Sequence, residues 1–304
     1  MQYPAVQIPA RPGNYVARTA AGEAAFLLRG PNPPVVRPPL RLRHVEVDYG
    51  ARCRVAEAGT AAVEGEFIAI RCTDSNAVAL ELFVRTVEAL LATLPIQPTP
   101  SDTESLIAVL VELFRKLGRP SARSIKGLWA ELFVIDKSGL VDSLVTAWHA
   151  DAVEKYDFFT TKGYLEVKAT EQPQHIHEFS LAQLRGPSSA DSLVASLLLR
   201  RATGGVGVLD LARRVTQRLR DATLRAKTWA NVFEVLGNDF QDAHDLSFDE
   251  RYAEHTLGVV IATDVPCIEL PLPQGVLDAR VVSDLTIAVA ERNLGISAIS
   301  RIAS

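Results

Sequence analysis

The side chains best able to do chemistry lie in one stretch, Lys155-Tyr-Asp157-Phe-Phe-Thr-Thr-Lys-Gly-Tyr-Leu-Glu166-Val-Lys168. Side chains alternate along a strand, so Glu166 and Lys168 leave one face while Leu165 and Val167 point into a core. A tight turn at Thr161-Lys162-Gly163, where glycine is free to take positive φ, makes the stretch a hairpin. A hairpin centred on Lys162 sets Asp157 on the neighbouring strand, within about one residue of Glu166. Two carboxylates and an ammonium then converge on one patch of sheet.

That donor set suits metal-assisted phosphodiester hydrolysis. Carboxylates are hard oxygen ligands, and Mg²⁺ takes oxygen ligands while keeping several waters. Bound Mg²⁺, with Mn²⁺ as substitute, stabilises transition-state charge and acidifies its water. A neighbouring lysine can orient or deprotonate that water. It also offsets repulsion between the two acids in the absence of metal. None of the other six lysines has an acid two residues before it. The bland alternative is a solvated hairpin face with an exposed salt bridge worth about 0–1 kcal/mol.

The surrounding elements must position these groups. Ser121 to Lys137 reads as a helix closed by Gly139, Val153 to Thr160 and Tyr164 to Thr170 as the hairpin strands, and Phe179 to Leu184 as a short helix with Ser180 near its start. Ser192 to Arg200 fits a buried strand, Leu209 to Leu236 a long basic helix, and His255 to Ala262, Cys267 to Leu270 and Val276 to Val282 later strands. This order predicts an α/β sandwich with a mixed central sheet over residues 98–304. Residues 1–97 read as a small α+β region, with strands at Ala24 to Leu28, Leu42 to Asp48, Arg52 to Glu57 and Glu66 to Cys72 and a helix from Asn76 to Leu94. Pro95, Pro98 and Pro100 mark the boundary, and Ser101 with Glu104 suggests a capping box opening a helix to Leu117.

Composition sets outer limits. The chain has 304 residues, 48% of them apolar and 22% charged, a globular balance, and no apolar run is long enough to span a bilayer. Three dispersed cysteines and no signal-peptide pattern point to a reducing cytoplasm. A net charge of −4 argues against coating nucleic acid by bulk charge, though not against an acidic metal site.

GLWAELF at Gly127 to Phe133, KYDFF at Lys155 to Phe159, LEVKAT at Leu165 to Thr170 and HEFSLAQL at His177 to Leu184 resemble the uncharacterised bacterial PD-(D/E)XK motif proteins of the restriction-endonuclease-like superfamily. The resemblance implies an α/β (α+β) restriction-endonuclease-like core, its mixed central sheet flanked by helices. It carries over Asp157 and Glu166 as metal ligands, Lys168 as the catalytic lysine, Glu131 as an acid on the preceding helix and Gln183 as a polar residue on the following one. It also implies DNA as substrate and a setting of bacterial restriction or anti-phage defence. The proline often found before the first acid is Tyr156 here.

Other groups have competing readings. Glu131 lies on a largely apolar helix face, so its carboxylate should be paired or metal-bound, unless the helix simply exposes it. Gln183 could touch a metal-bound water or a phosphate, or satisfy its own helix. His175 and His177 lack a third Zn²⁺ ligand nearby, and His177 reads as a polar loop residue. Arg213, Arg214, Arg218, Arg220, Arg225 and Lys227 form either a nucleic-acid stripe or a solvated helix face.

The expected activity is that of a Mg²⁺-dependent DNA endonuclease. The alternative is an inactive nuclease-like module that binds DNA or scaffolds other defence proteins. RNA cleavage uses the same chemistry. A homodimer would suit double-strand cutting.

Overall fold

The computed structural model describes residues 2–9, 11–30, 37–57, 61–116, 124–148, 156–184, 192–236, 245–268, 274–276 and 278–303. The chain divides into two compact units, Met1–Pro120 with Arg225–Gln241, and Ser121–Leu224 with Asp242–Ser304. The helix that follows the proline cluster belongs to the first unit.

The first unit is built on strands β1 (Gln2–Gln7), β2 (Tyr15–Arg18), β3 (Ala24–Arg29), β4 (Leu40–Arg41), β5 (Val45–Ala56) and β6 (Val63–Cys72). Their order is β1-β2-β3-β6-β5-β4, and β1 also pairs in parallel with β5, which closes five strands into a barrel. Tyr3, Tyr15, Leu27, Val55 and Phe67 belong to one buried cluster. The two strands expected at 42–48 and 52–57 are one, bent at a bulge between Asp48 and Ala51 where Gly50 takes φ 71°.

Helix α1 (Ala77–Thr93) is capped by Asn76, whose side chain accepts from Val78 and Ala79 N–H. Helix α2 (Pro100–Lys116) is opened by Thr99 and Asp102, not by Ser101 and Glu104. Asp102 Oδ2 accepts from Thr99 N–H at 2.8 Å, and Thr99 Oγ1 accepts from Asp102 N–H at 3.2 Å. The Phe83 ring meets Phe26 at 5.6 Å and Phe114 at 5.8 Å, edge to face, locking the helices onto the barrel.

The second unit opens with α3 (Ile125–Ser138) and α4 (Val141–Ala147), followed by β7 (Phe158–Phe159), β8 (Tyr164–Thr170), β9 (Ile176–Ser180), α5 (Leu181–Leu184), β10 (Leu193–Leu198) and β11 (Arg201–Gly207). Next come α6 (Val208–Arg218), α7 (Ala222–Leu236, from Arg225 part of the first unit), β12 (Ser247–Phe248), α8 (Glu250–Thr256), β13 (Gly258–Ile261), β14 (Arg280–Asp284), α9 (Thr286–Arg292) and α10 (Ser300–Ala303). The central sheet has the order β13-β10-β8-β7, with β8 and β10 parallel and the other pairs antiparallel. The mixed sheet with flanking helices is thus the expected α/β (α+β), restriction-endonuclease-like core. Trp129 on α3 stacks on Phe133 at 5.0 Å and donates its indole N–H to Val206 O at 2.7 Å, joining α3 to β11.

Several expected elements differ. The long basic helix is two, because the chain turns extended at Leu219 (ψ 128°). Its arginines meet acids: Arg213 pairs with Asp210 at 2.7 Å, Arg214 with Glu250 at 2.7 Å and Arg218 with Asp136 at 3.0 Å. Three members of the basic cluster thus have acidic partners within the protein. His255 closes α8 instead of opening a strand. No strand includes Cys267 or Ile268, and residues 269–270 lie outside the described residues, as do 153–155 of the first expected hairpin strand. The last strand begins at Arg280, four residues later than expected. Among the described residues, no helix is long and apolar enough to cross a membrane.

Candidate active site

Sheet register brings the two acids together. Phe158 pairs with Leu165 and Phe159 with Tyr164, so one step outward Asp157 faces Glu166. The turn closes through Thr160 N–H to Gly163 O at 2.9 Å, and Gly163 does not use a positive φ. Asp157 Oδ2 accepts from the Val167 backbone N–H at 2.8 Å, which pins its carboxylate against β8. Leu165 and Val167 are buried, as their alternation requires.

Glu166 is 3% exposed. Its Oε1 receives the Lys168 ammonium at 2.7 Å and the Gln183 side-chain N–H at 2.6 Å, while its buried Oε2 has no hydrogen-bond partner. Burial, and after it the charges of Asp157 and Glu131, push the carboxyl up to about 8 against the pull of Lys168. The Lys168 side chain is 22% exposed and lies over the Phe179 ring at 5.2 Å. Asp157 and Lys168 are both partly exposed to solvent.

Glu131 is as buried as Glu166, and its Oε2 accepts from the Trp148 indole N–H at 2.7 Å. Trp148 in turn bridges to Phe158, the residue after Asp157, with rings stacked at 6.4 Å. The exposed-helix reading of Glu131 is therefore excluded. Gln183 serves both its own helix and Glu166. The imidazoles of His175 and His177 both meet Ser196 Oγ, at 2.6 Å each. His177 is not a loop residue: it sits buried on β9, and burial, with His175 and Lys168, lowers it to about 3, so it is neutral. The sequence assigned no site role to Trp148, Ser196 or Ser180, the last placed only near the start of its short helix; the Ser-x-x-Gln spacing of Ser180 and Gln183 carried a local signal.

The donor set fits a hard divalent cation. A buried carboxylate oxygen without a partner is costly, and a cation beside Asp157 would satisfy it. Among the described residues, no group of three or more His, Cys, Asp or Glu side chains is arranged to hold a metal ion. A cation here would therefore rest on Asp157 and Glu166 and fill its shell with water or phosphate oxygens, as Mg²⁺ commonly does.

The searches of curated proteins and of solved structures returned no match. The model of the DUF4420 family, described as "Putative PD-(D/E)XK family member", matches residues 9–286, nearly the whole chain. The match spans far more than half of the chain, so the chain belongs to this family.

Proposed function

We propose that the protein is a Mg²⁺-dependent phosphodiesterase acting on DNA, an endonuclease of a bacterial restriction or anti-phage system. One observation carries this reading: Glu166, which the sheet register sets opposite Asp157, keeps a buried oxygen without a hydrogen-bond partner, while the Lys168 ammonium lies 2.7 Å from its other oxygen. Bound Mg²⁺ or Mn²⁺ would supply charge neutralisation at the phosphate and an acidified water. Asp157, held by the Val167 N–H, and Glu166, held by Lys168 and Gln183, are its ligands. Glu131 stands behind them as a third carboxylate oriented by Trp148, adding negative potential that favours a cation. Lys168 orients the attacking water or stabilises the phosphorane charge. A homodimer would bring two such sites to the two strands of a duplex, and other defence proteins are partners in keeping with that setting.

Incubation of supercoiled DNA with the protein and Mg²⁺ or Mn²⁺ tests this reading. Nicking or linearisation is expected from the wild type and none from folded Lys168→Ala. Full activity in that variant sinks the mechanism.

A second reading is a nuclease-like module that binds DNA or scaffolds a complex without cutting. It is favoured by the lack of a three-donor metal cluster among the described residues. Calorimetric titration with Mn²⁺ separates the two. No binding, or equal binding by wild type and Asp157→Ala, selects the module.

A further inference from the structure

Ser180 and Gln183 form a capping box at the start of α5. Ser180 Oγ accepts from Gln183 N–H at 3.0 Å, and Gln183 Oε1 accepts from Ser180 N–H at 3.0 Å. A four-residue helix has little reason of its own to be so well secured. Its other N-terminal donors are also held, Leu181 N–H by Ala279 O at 2.7 Å and Ala182 N–H by Asp278 Oδ1 at 3.1 Å. At its far end the Tyr164 hydroxyl donates to Gln183 O at 2.9 Å. Tyr164 stacks on Tyr156 with ring centroids 3.7 Å apart, so the aromatic residue in the proline position backs the clamp.

The box has a chemical consequence. An amide has one acceptor end and one donor end. With the oxygen engaged by Ser180 N–H, only the NH₂ of Gln183 can face Glu166, where it lies 2.6 Å from Oε1. Lys168 meets that same oxygen, so both donors load Oε1 and none loads Oε2. We infer that Ser180 is a positioning residue for the metal site: its capping box locks the Gln183 amide with its donor toward Glu166, and thereby reserves Glu166 Oε2 for the divalent cation. With the box broken, the amide is free to turn its oxygen toward a carboxylate, and the two repel. This inference rests on the metal-site reading above.

Calorimetric titration of the full chain with Mn²⁺ tests it. Ser180→Ala and Gln183→Ala are expected to weaken binding by about 10–100-fold, the usual effect of removing a group that orients a metal ligand. Ser180→Thr, which keeps the hydroxyl, is expected to restore it. Denaturant unfolding of each variant without metal separates lost positioning from lost folding. If the wild type binds no Mn²⁺, the metal-site reading itself fails. If the wild type binds and folded Gln183→Ala or Ser180→Ala binds equally well, the positioning role is overturned. Failure of Ser180→Thr to recover the affinity lost in folded Ser180→Ala overturns it too.

Discussion

Replacing Glu166 by glutamine should make the metal-free protein more stable at alkaline pH, by an amount that grows with pH. The carboxyl is pushed from its ordinary value up to about 8 by burial and by Asp157. In the unfolded chain it titrates near 4.3. Between these limits the folded state holds a proton that the unfolded state has lost. The stabilisation is therefore complete below the unfolded pKa and is lost as pH rises through the folded one. At about 1.4 kcal/mol per pH unit, the full interval corresponds to at most about 5 kcal/mol. Glutamine stays neutral throughout. Its NH₂ takes the place of the partnerless Oε2, which shifts the whole curve by a constant and leaves its slope alone. Urea unfolding of wild type and Glu166→Gln in a chelator should thus give curves that run parallel below about pH 4 and separate by about 2–5 kcal/mol near pH 8.5. Subtracting one curve from the other cancels the titrating groups that do not interact with Glu166, so the difference reports Glu166 together with its coupled neighbours Asp157, Lys168 and Glu131. Curves parallel from pH 4 to 8.5 would show that Glu166 is not held in a charge-averse site, and the reasoning about its free oxygen would fall.

Three further outcomes follow from the packing. Trp148→Phe keeps a ring over Phe158 but removes the indole donor to the buried Glu131 Oε2, so a loss of about 1–3 kcal/mol is expected in denaturant unfolding; no loss would mean that the indole bond is idle. Gly205→Ala would bring a Cβ to 2.5 Å from the backbone oxygen of Phe248, so a fall of about 1–3 kcal/mol or more should appear as a lowered thermal midpoint. Arg214→Ala removes one of two cationic partners of Glu250, leaving Lys137; it should cost about 1 kcal/mol of stability and leave DNA affinity in a filter-binding assay within about twofold, whereas a large affinity loss would favour the basic-stripe reading.

Local contacts were legible in the sequence and returning contacts were not. Asp157 opposite Glu166 could be read because eight residues and one turn fix the register. The Gln183 amide reaches Glu166 only after the chain has left β8, run along β9 and turned at Ser180, and no periodicity records such a return. Strands β1 and β2 escaped notice because Pro4, Pro9 and Pro12 interrupt their alternation; what stabilises them is closure of the barrel, a tertiary effect. The break between α6 and α7 has no glycine or proline to announce it. Leu219 is buried there, and its packing overrides the local preference for helix.

The split of the first unit into two stretches of chain governs how the protein can be made and cut. Phe114, near the end of the first stretch, packs edge to face at 4.7 Å on Phe233, more than a hundred residues downstream. During synthesis, the N-terminal barrel and its helices must wait with an uncovered apolar flank while the entire hairpin that carries Asp157, Glu166 and Lys168 is produced. A proteolytic fragment ending at residue 120 would keep that flank bare and aggregate, and a fragment beginning at residue 121 would carry α7 without the Phe114 ring that covers Phe233.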